Sequence, residues 1–459
     1  MMQETIMEVG KRIPLDIKKL GINGEGIGYY KKNIVFIPGA LIGEEVYAEI
    51  TKVGRNFSEA KVLKVQKASK FRVTPPCPVY DSCGGCQMQH MTYGSQLVAK
   101  KHTVLQALQK YVPKHAKKID VRNTIGMEDP WNYRNKSQFQ VRKSGGRVQA
   151  GLFAENSHIL LDIDDCIVQD RITNIITNAA KEIIEDLGIA VYDGRSTKGI
   201  IRTIVVRVAI QTNEVQVVII TTRKNFPRKE EFIERLKAID HSIVSIVQNV
   251  NNADTSLIFG DTTVVLAGKE TIHEELGEFA FDLSARAFFQ LNPTQTVQLY
   301  NEIKKAAALT GKETVVDAYC GVGTIGMWLA DGASEVRAMD IIPESIKNAK
   351  QNAENHNLTH IKYEDGSAEH WLDQWQKDGF VPDVLTVDPP RTGLAQSLID
   401  TINKVKPKRF VYTSCNPSTL AKDLAQLTKN YKVEYIQPLD MFPQTAHVES
   451  VTLLTLKNK

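Results

Sequence analysis

The chain contains no apolar run near the ~18 residues that a membrane-spanning helix needs. Its opening, MMQETIMEVGKR, lacks the apolar centre of a signal peptide. The cytoplasm is therefore the expected compartment, with no membrane partner. Cysteine is scarce, six in 459 residues, too few for a disulfide scaffold. No internal repeat and no low-complexity segment interrupts the chain, which removes solenoid, collagen-like and disordered classes. What is present, 42% apolar and 24% charged residues, is an ordinary globular composition.

Net charge is also small, +4, but the two signs are unevenly spread. The first 150 residues hold 25 Lys and Arg against 12 Asp and Glu, and the rest hold 32 against 41. A basic front on an acidic back suits a polyanionic partner, as against a merely solvated surface. One hydrophobic core rarely grows past roughly 250–300 residues, so several domains are expected. Residues 1–66 read as short strands separated by Gly- and Lys-rich turns, hence a small OB-like β-barrel. Within it Lys31, Lys32, Lys52, Arg55 and Lys61 interleave with Tyr29, Tyr30 and Phe57, a composition for phosphate contact and base stacking. Residues 67–285 alternate strand-like and helical runs, an α+β domain. From residue 286 short apolar strands are each followed by a helical pattern, the signature of a doubly wound, Rossmann-like α/β domain whose ligands sit at the carboxyl ends of the strands.

In that last segment VVDAY runs into Gly321-Val322-Gly323-Thr324-Ile325-Gly326, and Asp340 ends the next strand. Glycines let the backbone approach a nucleotide, and the carboxylate accepts from ribose hydroxyls. The pattern fits NAD as well as S-adenosylmethionine. Asp317 on the first strand, and a terminal pair of strands in place of a second mononucleotide-binding half, favour the latter. DVLTVDPPR places Asp388 at the lip of the cleft, where two prolines turn the chain out of the sheet. Arg391 stands where amino-methyltransferases carry an aromatic, which argues against amino-group transfer.

The next strand ends at Cys415, with Pro417 and Ser418 opening a helix and Ser418 the expected N-cap. A thiol at a helix N-terminus beside a cofactor cleft is expected to favour the reactive thiolate. Glu449 in AHVESV, with His447 as rival, is the candidate base. The remaining signal is Cys77-x5-Cys83-x2-Cys86 with a distant Cys166. Three thiols from one Gly-rich loop and one remote thiol suit a cubane iron–sulfur cluster better than zinc, which more often takes two close pairs. Cys320, inside the glycine loop, reads as packing.

FFQLNPTQ, DAYCGVGTIG, DPPR, SCNPSTLAKDL and HVESV, in this order, resemble the RNA uracil-C5 methyltransferase family over nearly the whole chain. The N-terminal segment GINGEGIGYY…VFIPGALIGEEV is similar to a TRAM domain, and barrel and cysteine loop together resemble the 23S ribosomal RNA branch. The resemblance implies methylation of uridine carbon 5 with S-adenosylmethionine as donor, Cys415 as nucleophile and Glu449 as proton acceptor. It implies cofactor contacts from Gln290, Tyr319, Asp340 and Asp388, with Thr324 and Ser367 carried over from less specific stretches. It also implies a [4Fe-4S] cluster on Cys77, Cys83, Cys86 and Cys166. The family often has Phe, Glu and Asn where Tyr319, Asp340 and Thr324 stand. Cys415 explains itself chemically: carbon 5 of uracil is a poor nucleophile until a thiolate adds at carbon 6. The substrate must then be RNA with an exposed or extruded base. Arg134, Lys136, Arg142, Lys143 and Arg147, with the barrel, are expected to grip its phosphates, and no protein partner is implied. The same chemistry on transfer RNA is the nearest alternative. An NAD-dependent oxidoreductase or a non-catalytic RNA-binding protein leaves SCNP and HVES unexplained.

Overall fold

The computed structural model describes residues 7–155, 157–194, 198–255 and 257–458. The chain forms two compact units, the first made of the residues up to Val73, His90–Glu128 and everything from Gln295, the second of Thr74–Gln89 and Asp129–Thr294.

In the first unit, Arg12–Leu20, Gly26–Tyr30, Asn33–Ile37, Glu45–Val53 and Phe57–Lys67 close into a barrel. Ile13, Leu15 and Ile17 are buried while Arg12, Pro14 and Asp16 are exposed, the period-two pattern of a sheet with one inner face. At Gly26 the loop at Ala40 comes so near that a Cβ would meet the Ala40 carbonyl oxygen at 2.8 Å, so the strand needs glycine there. The buried Glu44 carboxylate fastens the barrel to the segment after it, accepting from Arg72 Nε at 2.6 Å and from Leu41 N at 2.8 Å.

The same unit contains an eight-stranded sheet. Its order is Ile361–Asp365, Glu335–Asp340, Thr314–Ala318, Val384–Val387, Arg409–Ser414, Glu449–Leu456, Tyr431–Leu439, Asp120–Val121. The first five strands run parallel, and Glu449–Leu456 inserts antiparallel between Arg409–Ser414 and Tyr431–Leu439. The strand order reverses direction of winding at Thr314–Ala318 and Val384–Val387, the crevice in which such sheets bind ligands. Val384–Val387 is buried at every position, as a strand covered on both faces must be.

Residues 90–128 depart from the sequence-based boundaries, which placed all of 67–285 in one central domain. Helix Tyr93–Tyr111 contributes Val104, Ala107 and Leu108 to the same core as Leu420, Leu424 and Phe410, and Asp120–Val121 adds a parallel strand beside Tyr431–Leu439. The helical period in the sequence shows which face is buried, not what it is buried against.

The second unit is built on a seven-stranded mixed sheet in the order Thr262–Gly268, Ile243–Val250, Val215–Thr221, Ile201–Val208, Lys136–Ser144, Arg147–Phe153, Leu160–Asp162. Helix Arg171–Asp186, capped by the Asp170 side chain, lays Ile176, Ala180, Ile183 and Ile184 on one face. The run VQVVIIT is buried throughout because Ala285 and its neighbours cover the other face. No helix among the described residues is long and apolar enough to cross a membrane.

Candidate active site

The glycine loop leaves the strand Thr314–Ala318 through Tyr319, whose φ of 63° is left-handed and costly for a residue with a side chain. Gly321 N then donates to Asp340 Oδ2 at 3.0 Å, and Asp340 Oδ1 accepts from Ile342 N at 2.9 Å. The predicted ribose carboxylate is thereby held at the end of its strand. Asp317 is fully buried and accepts from Gly326 N at 2.8 Å, while its Oδ1 has no partner among the described residues. Burial first, then Asp388 and Asp340, push its carboxyl up to about 8. Burial alone pushes Asp388 up to about 7.

Two of the lesser cofactor candidates have structural work in the fold. Thr324 Oγ1 shares a hydrogen bond with Tyr300 Oη at 2.9 Å, and Ser367 Oγ caps the helix Ala368–Lys377 by accepting from His370 N at 3.4 Å. Gln290 lies in the second unit, half-buried, where its carbonyl accepts from Asn135 Nδ2 at 3.3 Å. Gly323 has φ of 88°, and a Cβ on it would stand 2.5 Å from Tyr363 Oη. Gly323→Ala is therefore expected to displace the loop and weaken S-adenosylhomocysteine binding at least tenfold by calorimetry, with the barrel's far-ultraviolet signature unchanged.

The antiparallel register brings the predicted nucleophile and base together. Ser414 pairs with Ser450 at the last rung between Arg409–Ser414 and Glu449–Leu456, so Cys415 and Glu449 face each other one step beyond it. Asp388 stands one step past Val387, whose partner in the neighbouring strand is Tyr412. Three residues distant in sequence thus share one lip of the sheet.

Their electrostatics correct the expectation of a helix-stabilised thiolate. Burial, then Glu449 and Asp388, push the Cys415 thiol up to about 11, and Arg391 only partly opposes them. The helix begins at Pro417, which has no N–H, and its N-cap is Asn416, not Ser418. Asn416 Oδ1 takes the Ser418 N–H at 3.0 Å, so a donor that would have served a thiolate is already used. Glu449 is raised well above the carboxylate range by burial and then by Asp388, with Arg391 again opposing.

Arg391 is therefore a positive charge that acts on both predicted groups, a role sequence reading did not give it. Its carbonyl accepts from Asn416 Nδ2 at 3.0 Å, and its Nη2 lies 3.2 Å from His447 Nδ1. The signal was available: a cation directly after DPP, at a strand end that faces ligand. His447 is exposed and precedes the strand that Glu449 begins, which separates the two former rivals.

In the second unit Cys77, Cys83, Cys86 and Cys166 are free thiols lining one small hollow. Burial pushes Cys86 up to about 12, with Cys166, Cys83 and Cys77 adding to it. Burial likewise pushes Cys166 up to about 11, reinforced by Cys83 and Cys77. Groups that raise one another in this way are neighbours in space. Among the described residues no three His, Cys, Asp or Glu side chains are grouped to hold a single metal ion. The hollow's lining includes Arg134, Gln89 and Gln169 and no carboxylate.

Of the expected RNA contacts, Arg147 is paired with Glu185 at 3.1 Å, Lys61 with Glu49 at 2.9 Å and Lys52 with Glu59 at 2.8 Å. Tyr29 and Phe57 present large exposed rings, and Lys19 lies 6.0 Å from the centroid of Tyr29.

Residues 92–457 match the model of the tRNA (Uracil-5-)-methyltransferase family, and residues 7–63 match the TRAM domain. The chain belongs to the tRNA (uracil-5-)-methyltransferase family. It is 58% identical over 454 residues to an uncharacterized RNA methyltransferase of Bacillus anthracis, covering 99% of each chain. Another, from Listeria monocytogenes, is 55% identical over 459 residues, 100% of both. Among solved structures it is similar to the Pyrococcus abyssi tRNA (uracil-54, C5)-methyltransferase in complex with S-adenosyl-L-homocysteine. That match has a TM-score of 0.76 and 28% identity over 96% of this chain and 99% of that one. The chain is thus an S-adenosylmethionine-dependent RNA methyltransferase with a TRAM barrel, and RNA is its substrate.

Proposed function

We propose that this methyltransferase converts uridine to 5-methyluridine in 23S ribosomal RNA through a covalent Cys415 adduct. The observation that carries the chemistry is the register that sets Cys415 opposite Glu449 at the carboxyl edge of the sheet. The Cys415 thiolate adds to carbon 6 of the target uracil, its proton leaving to solvent, and carbon 5 becomes electron-rich. Bound S-adenosylmethionine supplies the methyl group that carbon 5 takes. Glu449 then accepts the carbon-5 proton, the carbon 6–sulfur bond breaks, and the thiolate is regenerated. One proton is released per methyl transferred.

Tyr319, Asp340 and Asp388 would hold the donor: Asp340 at the ribose, Tyr319 as aromatic wall and Asp388 as counter-charge; Gln290, in the second unit, is a candidate through the resemblance alone. Thr324 and Ser367 play a supporting part, since each is already bonded within the fold. Arg391 stabilises negative charge on the thiolate and on Glu449.

Cys77, Cys83, Cys86 and Cys166 fit a [4Fe-4S] cluster. A single zinc needs all four sulfurs at about 2.3 Å from one point, whereas a cubane spreads its thiolates over separate irons, and the lining offers thiols without a competing carboxylate. The cluster would staple the loop 77–86 to the segment at Cys166, a structural role.

The ribosomal target rests on the combined barrel and cysteine loop. The full-length likeness to a tRNA enzyme supports the second reading, in which transfer RNA receives the methyl group. Wild type and Cys415→Ala are to be assayed with tritiated methyl donor on separate ribosomal and transfer RNA pools, followed by nucleoside analysis. Label in 5-methyluridine of 23S RNA, absent in the variant, is the expected result. Label confined to transfer RNA keeps the mechanism and overturns the substrate. Iron and sulfide measured on anaerobically purified protein, against Cys86→Ser, tests the cluster separately.

A further inference from the structure

Lys100 lies in helix Tyr93–Tyr111, and its side chain is completely buried, as is that of Asp440. The two form an ion pair across 340 residues of chain. Burying both charges is expensive and is recovered only where further hydrogen bonds complete the pair. Here Lys100 Nζ also donates to the Phe442 carbonyl at 3.1 Å. One helical turn earlier Gln96 Nε2 donates to Gln444 Oε1 at 2.9 Å, and Gln444 N returns a bond to Gln96 Oε1 at 3.1 Å.

Residues 440–447 lie in the connection between the last two strands, Tyr431–Leu439 and Glu449–Leu456, and lead to Glu449 opposite Cys415. Within that connection the bonds continue towards the site. Thr445 Oγ1 donates to the Phe442 carbonyl at 2.7 Å and accepts from His447 N at 3.3 Å. His447 Nδ1 stands 3.2 Å from Arg391 Nη2. The Phe442 carbonyl is thus the point at which Lys100 meets a continuous set of bonds ending at the cation that faces both Cys415 and Glu449.

We infer that Lys100, with Gln96, is a positioning residue that fixes the 440–447 connection, and through it the placement of Glu449 and Arg391 during resolution of the covalent adduct. This rests on the adduct mechanism proposed above. An ion pair wanted only for stability could be replaced by apolar side chains of similar volume with little loss. The link to the Phe442 carbonyl cannot be replaced in that way.

Lys100→Met, Lys100→Met/Asp440→Leu and Gln96→Met are compared with the wild type in full-length protein. The readouts are the thermal midpoint, S-adenosylhomocysteine affinity, turnover on RNA, and the fraction of protein in a denaturant-resistant RNA complex. Expected for the double variant is a midpoint near wild type and cofactor affinity within twofold, but turnover at least tenfold lower with the covalent complex accumulating. Gln96→Met, which keeps the ion pair, is expected to show the same split and carries the test if the double variant does not fold. Turnover recovering with stability in the double variant, or wild-type turnover in Gln96→Met, overturns the inference and leaves the proposed function standing. Wild-type protein that makes no covalent complex and no 5-methyluridine overturns both.

Discussion

Glu449→Gln enzyme is expected to stop half-way, as a covalent complex between protein and RNA that survives denaturation. The substitution keeps the shape of the side chain and its place opposite Cys415, one step beyond the Ser414–Ser450 rung, and removes only the ability to take a proton. Thiolate addition and methyl transfer need no proton acceptor at that position, so they proceed. Elimination does need one, and loss of a positioned base typically costs 10²–10⁴-fold. Methylated RNA attached through Cys415 should therefore accumulate to near one equivalent, while free 5-methyluridine forms at least ~100-fold more slowly. Cys415→Ala should form no such complex, and Cys415→Ala/Glu449→Gln should match it. The readout is tritium from the methyl donor migrating with protein on a denaturing gel, chased against free nucleoside. A Glu449→Gln enzyme with wild-type turnover would transfer the base role elsewhere. His447 would be next, through its position beside Arg391.

Cys415 was legible in the sequence because it follows the end of a strand in the parallel part of the sheet, where chain direction alone assigns the ligand side. Asp317, Asp340, Asp388 and Cys415 could be placed by noticing where apolar runs stop. Glu449 belongs to an antiparallel strand, and only its motif signalled it. What the sequence withheld was pairwise. The connection that leads into Glu449–Leu456 is bonded to Lys100 and Gln96, 340 and 348 residues away in the chain. The segment 90–128 was misassigned for the same reason, since its helix finds its partners in the far half of the chain. Local chemistry misled once. Cys415 before a helix looked like a stabilised thiolate, yet Asn416 takes the Ser418 N–H, and burial, then Glu449 and Asp388, raise the thiol instead. The cysteine loop was legible as a group because Gly84 and Gly85 mark a tight turn. Cys166 could be added only by its chemistry, because it arrives from beyond a β-hairpin and a short strand.

The affinity of the enzyme for S-adenosylmethionine, relative to S-adenosylhomocysteine, is expected to rise with pH between about 6 and 8. The two ligands share adenosine, amine and carboxylate and differ in the sulfonium charge, so their ratio isolates what the site offers a cation. In the free enzyme burial holds Asp388 at about 7, and burial, Asp388 and Asp340 hold Asp317 at about 8. Below these values the carboxyls are neutral and offer a cation little; above them they are anions. Unit charges ~5 Å apart at an effective dielectric constant of about 20 attract by roughly 3 kcal/mol, more than a hundredfold. With solvent entering an open cleft, about a tenfold gain in the ratio over those two pH units is the expected size. The sign for stability is opposite. Both folded-state values lie above those of unfolded chains, so their stabilising contribution is complete below pH ~4 and is lost as pH rises through 7 to 8. The unliganded protein should therefore soften across the window in which it gains grip on the methyl donor. Calorimetry at pH 6, 7 and 8, repeated in buffers of different ionisation enthalpy, measures both the ratio and the protons released. Asp388→Asn should flatten the ratio and weaken the sulfonium ligand more than the thioether. A ratio that stays level in the wild type would mean that these carboxyls do not face the sulfur, and would move the methyl donor's charge recognition to Glu449.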